Sequence, residues 1–391
     1  MIDIPKSARQ RMAESVTRHA QISSSDDFKR LTYGIDTLDI GLYVEWKSGW
    51  RELKLKFDVL KKQAEGTNGL PISQSVIRSY LFLPGGKAPN YRYHLQYPEY
   101  HAFISLSQVQ RRSPNIYISI NSEALWEHGP HELYKTIVSD IEGLGALVAE
   151  HKVSRVDICV DYWLKESLSL GLMQSQRVCR SNDSSQYMQG EELETFYMGG
   201  RQSVLKLRIY DKGKETKNKE TEERWLQIWQ LDSSENVWRV EFQIRRTFLK
   251  QFEINSLDDL KKKIPALWSY CTEEWFSLRL PDNENQTRRT VNPWWGDVQR
   301  CASLFGYKYF GERQCPSDRK AQAKWYLDRI ANLIVGYASC MKISDFQLCT
   351  LRLVKELIRI FKYRNFNKEF IEKSIKLGIP VKSEAPNEYP G

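Results

Sequence analysis

Three short segments of the chain alternate apolar and polar side chains with a two-residue period, which confines them to β-strands with two unlike faces. In Arg155–Asp161 one side is Val156, Ile158 and Val160, and the other is Arg155, Asp157, Cys159 and Asp161. In Leu205–Lys212 the apolar side is Leu205, Leu207 and Ile209, opposed by Lys206, Arg208, Tyr210 and Lys212. In Trp238–Arg245, Trp238, Val240, Phe242 and Ile244 oppose Arg239, Glu241, Gln243 and Arg245. If the three share a sheet, one face packs on helices. The other gathers two aspartates, a glutamate, several cations and a tyrosine.

Further strands are expected at Leu38–Trp46, Ala102–Leu106, Ile116–Ile120 and Thr195–Met198. A helix is expected over Leu133–Ala149, with Leu133, Ile137, Ile141, Leu144 and Val148 on one side. Gly199-Gly200 reads as a hairpin turn. The charged run Asp211–Arg224 reads as a solvated connection or helix start. Beyond Phe252 the texture turns helical. One helix carries Tyr326, Ile330, Leu333 and Tyr337. Another, with Leu351, Val354, Ile358 and Phe361 as its apolar stripe, follows a capping pattern at Ser344-Asp345-Phe346-Gln347. The expected fold class is α+β: an antiparallel sheet with helices on one face, then a helical C-terminal region. The expected division is a polar leader over 1–30, a catalytic domain over 31–252 and a basic helical DNA-binding region over 286–391.

Composition narrows the function. With 41% hydrophobic and 27% charged residues in 391, the chain can build a real core and is not disordered. No run approaches the length of a membrane span, and the N-terminus lacks a signal-peptide core, so a cytoplasmic protein is expected. Seven cysteines without a C-x-x-C pair read as reduced thiols. Cys159 reads as a small buried thiol. The net charge is +9. Between Gln286 and Lys368 stand sixteen Lys and Arg against six Asp and Glu, so the whole excess lies in the C-terminal third. That asymmetry points to a polyanionic partner.

The polar face suits metal-assisted phosphoryl transfer. Asp157, Asp161 and Glu241 are hard oxygen ligands for Mg²⁺ or Mn²⁺. Asp157 and Asp161 stand roughly 13 Å apart on an ideal strand, so sharing one ion would need a bend or bulge. Tyr210 is a candidate nucleophile, with Arg208 and Lys212 as neighbours for a phosphate. Periodicity alone leaves open an ordinary sheet with a solvated polar face.

The same three blocks, joined by Thr195–Ser203, resemble in order and spacing the Rep_trans replication initiation factors across about residues 30–250. These are the rolling-circle initiators of plasmids and filamentous phages, with related relaxases. The resemblance implies a nicking-closing enzyme of a bacterial host cell. Its tyrosine attacks a phosphodiester at the origin, leaving a 5′-phosphotyrosyl link and a 3′-OH that primes the host DNA polymerase. It implies Tyr210 as nucleophile, with Tyr197 of the same block as the other tyrosine. Asp157, Asp161 and Glu241 become the metal carboxylates, and Arg208 and Lys212 the phosphate-side cations.

Origin DNA, double- and single-stranded, is the implied partner. Candidate contacts are Arg239 and Arg245 on the third strand and Arg352, Lys355, Arg359 and Lys362 on the basic tail helix. Trp294-Trp295 reads as an anchor in preference to a base-stacking pair. No His-hydrophobe-His motif occurs, and no G-x-x-x-x-G-K-[ST] loop, so unwinding would fall to a host helicase. The alternatives are a conjugative relaxase of an integrative element and a non-catalytic origin-binding or repressor protein.

Overall fold

A computed structural model describes residues 26–73, 77–108, 113–217, 221–305 and 319–376. Its strands are β1 (Phe28–Trp46), β2 (Leu70–Ile72), β3 (Tyr80–Leu83), β4 (Tyr91–Gln96), β5 (Tyr100–Ser105), β6 (Ile116–Ile120), β7 (Ala146–Leu164), β8 (Arg177–Cys179), β9 (Ser184–Gln189), β10 (Glu192–Met198), β11 (Leu205–Asp211), β12 (Val237–Arg245) and β13 (Phe276–Leu278). The helices are α1 (Trp50–Ala64), α2 (Ser122–Gly143), α3 (Leu170–Gln176), α4 (Lys212–Thr216), α5 (Glu222–Trp229), α6 (Arg246–Gln251), α7 (Leu257–Ser269), α8 (Pro293–Arg300), α9 (Arg319–Met341), α10 (Phe346–Phe361) and α11 (Phe366–Lys376). The expected leader lies outside the described residues except at its end, where Phe28 opens β1.

One antiparallel sheet of eleven strands runs β2-β3-β4-β5-β6-β1-β7-β12-β11-β10-β9. The three two-faced segments lie side by side as β7, β12 and β11. Val156, Ile158, Val160, Val240, Phe242, Ile244, Leu207 and Ile209 are fully buried in the main core against α6, α7 and α8.

Helices cover both faces of the sheet, not one. Trp126, Trp225 and Trp229 pack with Cys159 and Val237 in a second, smaller core on the polar side. Two local features allow this. The backbone of α2 breaks at Gly129, whose φ of 74° is open to glycine; ahead of the break Ala124 and Leu125 join the main core while Trp126 turns to the smaller one. Gly34 on β1 admits the Trp126 ring, which a Cβ there would meet at 2.6 Å. The expected helix over Leu133–Ala149 ends at Gly143, and Val148 belongs to β7. The charged run Asp211–Arg224 is also not wholly solvated, because Lys212 and Thr216 are buried.

The boundary of the basic region shifts as well. Residues 293–305 belong to the sheet domain. Trp294, Trp295, Val298 and Phe305 are buried in the main core. Trp295 Nε1 donates to the Thr272 carbonyl at 2.9 Å, and Tyr162 donates to Asp297 at 2.7 Å. The paired tryptophans are anchors. Only α9, α10 and α11 form a helical tail. Their expected apolar stripe stays open, with Leu333, Leu351 and Ile358 exposed. Asp345 caps α10 by accepting from Leu348 N at 2.7 Å.

Candidate active site

Strand register assembles the site. Across β7 and β12, Asp161 faces Arg239, Cys159 faces Glu241 and Asp157 faces Gln243. Across β12 and β11, Glu241 faces Arg208 and Arg239 faces Tyr210. Alternation therefore delivers Asp157, Asp161, Arg208, Tyr210, Arg239 and Glu241 to one face. The covering tryptophans then divide them into two networks.

The closed network is Asp36–Arg239–Asp161. Arg239 is fully buried. It grips Asp161 with Nε to Oδ1 at 2.6 Å and Nη2 to Oδ2 at 2.9 Å, and reaches Asp36 at 2.5 Å. Trp229 Nε1 adds a third bond to Asp161 at 2.8 Å. The Arg239 guanidinium lies 4.6 Å from the Trp225 ring centre. Burial works against the charge on Asp36, but Arg239 and Lys212 hold its carboxyl down to about 2. Arg239 therefore cannot touch DNA, and Asp161 is saturated by its arginine and indole partners. Neither residue fits its expected role.

The open network is Arg155–Asp157–Arg208–Glu241–Tyr210. Asp157 accepts from Arg155 Nε at 2.8 Å and from Arg208 Nη2 at 3.3 Å. The same Arg208 nitrogen bonds Glu241 Oε1, and Tyr210 donates to Glu241 Oε2 at 3.2 Å. Burial first, then the charges of Asp36 and Asp157, raises the Glu241 carboxyl from its ordinary 4.5 to about 7 against the pull of Arg208 and Arg239. Burial likewise raises Asp157 despite both arginines. It pushes the Tyr210 phenol well above its usual value, outweighing Arg239 and Arg208. The phenol therefore keeps its proton until a neighbour takes it, and Glu241 is placed to do so. Solvent reaches the half-buried Tyr210 and Arg208, whose side chain is 30% exposed. Arg208 Nε is buried with no acceptor among the described residues.

The other predicted positions are scattered. Lys212 pairs with Glu215 at 2.5 Å and lies 4.9 Å over Trp225 and 5.9 Å from the Tyr210 ring centre. Tyr197 faces Arg208 across β10 and β11 and has Lys206 over its ring at 4.9 Å. Burial raises the Cys159 thiol well above its usual value, so it is no nucleophile. Arg245 is exposed at the end of β12, and Arg352, Lys355, Arg359 and Lys362 are exposed along α10.

Asp36 and the three tryptophans were not anticipated. Asp36 falls at a register irregularity between Ile35 and Thr37, where β1 slips against β7, so it is off the two-residue period. The Trp225–Trp229 spacing of four residues was the available sign of α5, but the surrounding charges hid it.

Among the described residues, no group of three or more His, Cys, Asp and Glu side chains is disposed to hold a metal ion. A pair does fit. Asp157 and Glu241 share one cationic nitrogen of Arg208, and they are the two carboxylates that could hold Mg²⁺, which commonly uses one or two carboxylates with waters and substrate phosphate.

No protein-family profile matches the sequence, and no curated protein matches it. Nine solved chains match by structure. Among them is a rolling circle replication initiator protein from Geobacillus stearothermophilus, 15% identical, with a TM-score of 0.40, covering 72% of this chain and 100% of that one. Among the described residues, no helix is long and apolar enough to cross a membrane.

Proposed function

We propose that the chain initiates rolling-circle replication by nicking one DNA strand at an origin through Tyr210. The observation that carries this reading is a phenol donating to a buried carboxylate poised near neutrality, beside an arginine with an unused buried N–H. In the nicking step Glu241 takes the phenolic proton and the Tyr210 oxygen bonds to phosphorus. The P–O3′ bond breaks, and the 3′ oxygen leaves with a proton from solvent. Arg208, whose side chain reaches solvent, neutralises the phosphate's developing charge. Asp157 and Glu241 are the residues that would hold Mg²⁺ or Mn²⁺, which when bound supplies Lewis-acid polarisation of the phosphate.

The test incubates the protein with supercoiled DNA of its own replicon, with Mn²⁺ or with EDTA, and follows the protein–DNA adduct on a denaturing gel. Tyr210→Phe should fold, bind DNA and form no adduct. Adduct formation by that variant, with loss in Tyr197→Phe, would move the role to Tyr197. Adduct formed equally well in EDTA would remove the metal from the reading.

A further inference from the structure

The polar face of the sheet continues beyond the site. Phe103 on β5 faces His94 on β4 and Tyr117 on β6, and Tyr117 faces Gly41 on β1. Ser119, one pleat along from Tyr117, continues the face through Asp39 to Arg155, on the side that carries Asp157 and Glu241. The solvent side of an ordinary strand is polar, but here the half-buried side chains are Tyr91, His94, His101, Phe103 and Tyr117. The His94 ring stacks on Phe103 at 4.2 Å and 27°.

Cross-strand aromatic pairs stabilise a sheet. That role alone does not account for the charge around these rings. Lys87 Nζ stands 4.3 Å from the Tyr117 ring centre and 5.1 Å from that of Phe103, with no carboxylate partner among the described residues. Burial first, then His101, Lys87 and Lys61, lowers the His94 imidazole to about 4. Nearer Tyr210, burial and the charges of Arg208 and Arg245 lower the Lys206 ammonium. Lys206 and Arg245 likewise have no carboxylate partner among the described residues. Half-buried rings beside cations that have no carboxylate partner among the described residues match the two needs of an unpaired strand: flat bases to stack and phosphates to neutralise.

We infer that the polar face of β4, β5 and β6 is a base-stacking platform for single-stranded DNA, with Phe103 at its centre and Lys87 on its phosphates. The platform lies five strand spacings from Tyr210, or ~24 Å along the sheet. A strand lying across β1, β7 and β12 would pass Arg155 and Arg245 before reaching Arg208. That path rests on the nicking reading; the platform itself does not.

Binding is measured by fluorescence anisotropy with a fluorescein-labelled oligo-dT in EDTA. The full chain carries Tyr210→Phe so that no adduct forms. Phe103→Leu keeps an apolar side chain but removes the ring, and affinity should fall about tenfold, within the range for one stacked base. Phe103→Trp should bind as tightly or more tightly. Lys87→Gln should lower the log–log salt slope by about 0.7. Affinity for a duplex of the same length should be unchanged in both Phe103 variants, because paired bases offer no open face. If Phe103→Leu fails to fold, Phe103→Trp and Lys87→Gln carry the test. Unchanged oligo-dT affinity in Phe103→Leu, weakening in Phe103→Trp, an unchanged slope in Lys87→Gln, or an equal loss on duplex would each overturn the platform. Failure of the wild-type protein, with Tyr210 intact and Mn²⁺ present, to form an adduct, with this binding pattern intact, would sink the nicking reading and leave the platform standing.

Discussion

Glu241→Gln tests the electrostatics of the site without needing a substrate. In the native protein the Glu241 carboxyl stands at about 7 against an ordinary 4.5. Each unit of such a difference is worth about 1.4 kcal/mol, so keeping Glu241 ionised in the fold costs on the order of 3 kcal/mol. The group is fully buried, so solvent screening does not reduce that figure. The sign follows from proton binding. The native state holds this proton more tightly than the unfolded chain does. Its contribution is therefore fully present below pH 4.5, is lost as pH rises toward about 7, and is absent above.

The histidines work in the opposite sense. Burial lowers His94, His101 and His151, so they favour the fold increasingly as pH rises toward 6.5. The wild-type curve alone is thus a sum of opposing slopes, and the readout is the difference between the two proteins. Glu241→Gln keeps the shape and removes the titration. In urea unfolding with EDTA present, and with m unchanged, the variant should gain on the wild type by on the order of 3 kcal/mol between about pH 5 and about pH 8. Single-turnover cleavage by the same variant should fall by about 10²–10⁴-fold, the usual contribution of a general base. A stability difference that stays flat across this range would show that Glu241 is not held protonated by its surroundings. Glu241 would then not be the base of Tyr210.

Arg239→Ala strips the partner from two buried carboxylates and should destabilise by about 3–5 kcal/mol in urea, whereas Arg245→Ala should stay within about 0.5 kcal/mol and lower only oligonucleotide affinity. A fragment ending at Phe305 should keep a cooperative thermal transition. One ending at Asn285 should lose it, because Trp294, Trp295, Val298 and Phe305 leave the main core. Replacing Arg352, Lys355, Arg359 and Lys362 together by Gln should lower the log–log salt slope on duplex origin DNA by roughly 3.6 if all four meet phosphates, without moving the thermal transition. An unchanged slope would make the face of α10 a solvated surface.

The sheet at the centre of the molecule was legible because its strands obey one rule. Ile116–Ile120 forms β6 over its full expected length, and β11 and β12 lie within a residue of their expected bounds. Alternation also named the face on which Asp157, Arg208, Tyr210 and Glu241 meet. What alternation cannot report is what lies on that face. Trp225 and Trp229 sit in a run dense with Glu, Lys and Arg, and their cover over Asp161 and Arg239 is a tertiary event that no local pattern records. The same blindness produced the expected helix through Val148. Leu144 and Val148 continue a helical spacing by coincidence, and the chain turns at Leu144–Gly145 into a strand whose outer residues happen to be apolar. Asp36 was hidden for a different reason, since a bulge takes it off the period that would have aligned it with its partners.

The division into closed and open networks carries a consequence for how the site can work. Asp36, Asp157, Asp161 and Glu241 bring four negative charges to the two networks and Arg155, Arg208 and Arg239 bring three positive ones, while Lys212 is paired with Glu215. In the closed half the pairing is fixed. Arg239 has no exposure, both Asp161 oxygens are taken, and indole rings fill the space around the guanidinium, so this half pins β12 against β7 and β1. In the open half Asp157 is held by both Arg155 and Arg208, Glu241 is paired with Arg208, and Arg208 reaches solvent. A phosphate arriving at the exposed part of Arg208 competes with Asp157 and Glu241 for one guanidinium. Every increment of Arg208 charge given to the phosphate is withdrawn from those two carboxylates, which can hold less than a full charge each in so dry a setting. Only a proton from solvent or a divalent cation restores the balance, because a proton passed from Tyr210 to Glu241 moves the negative charge to the phenol without changing its sum.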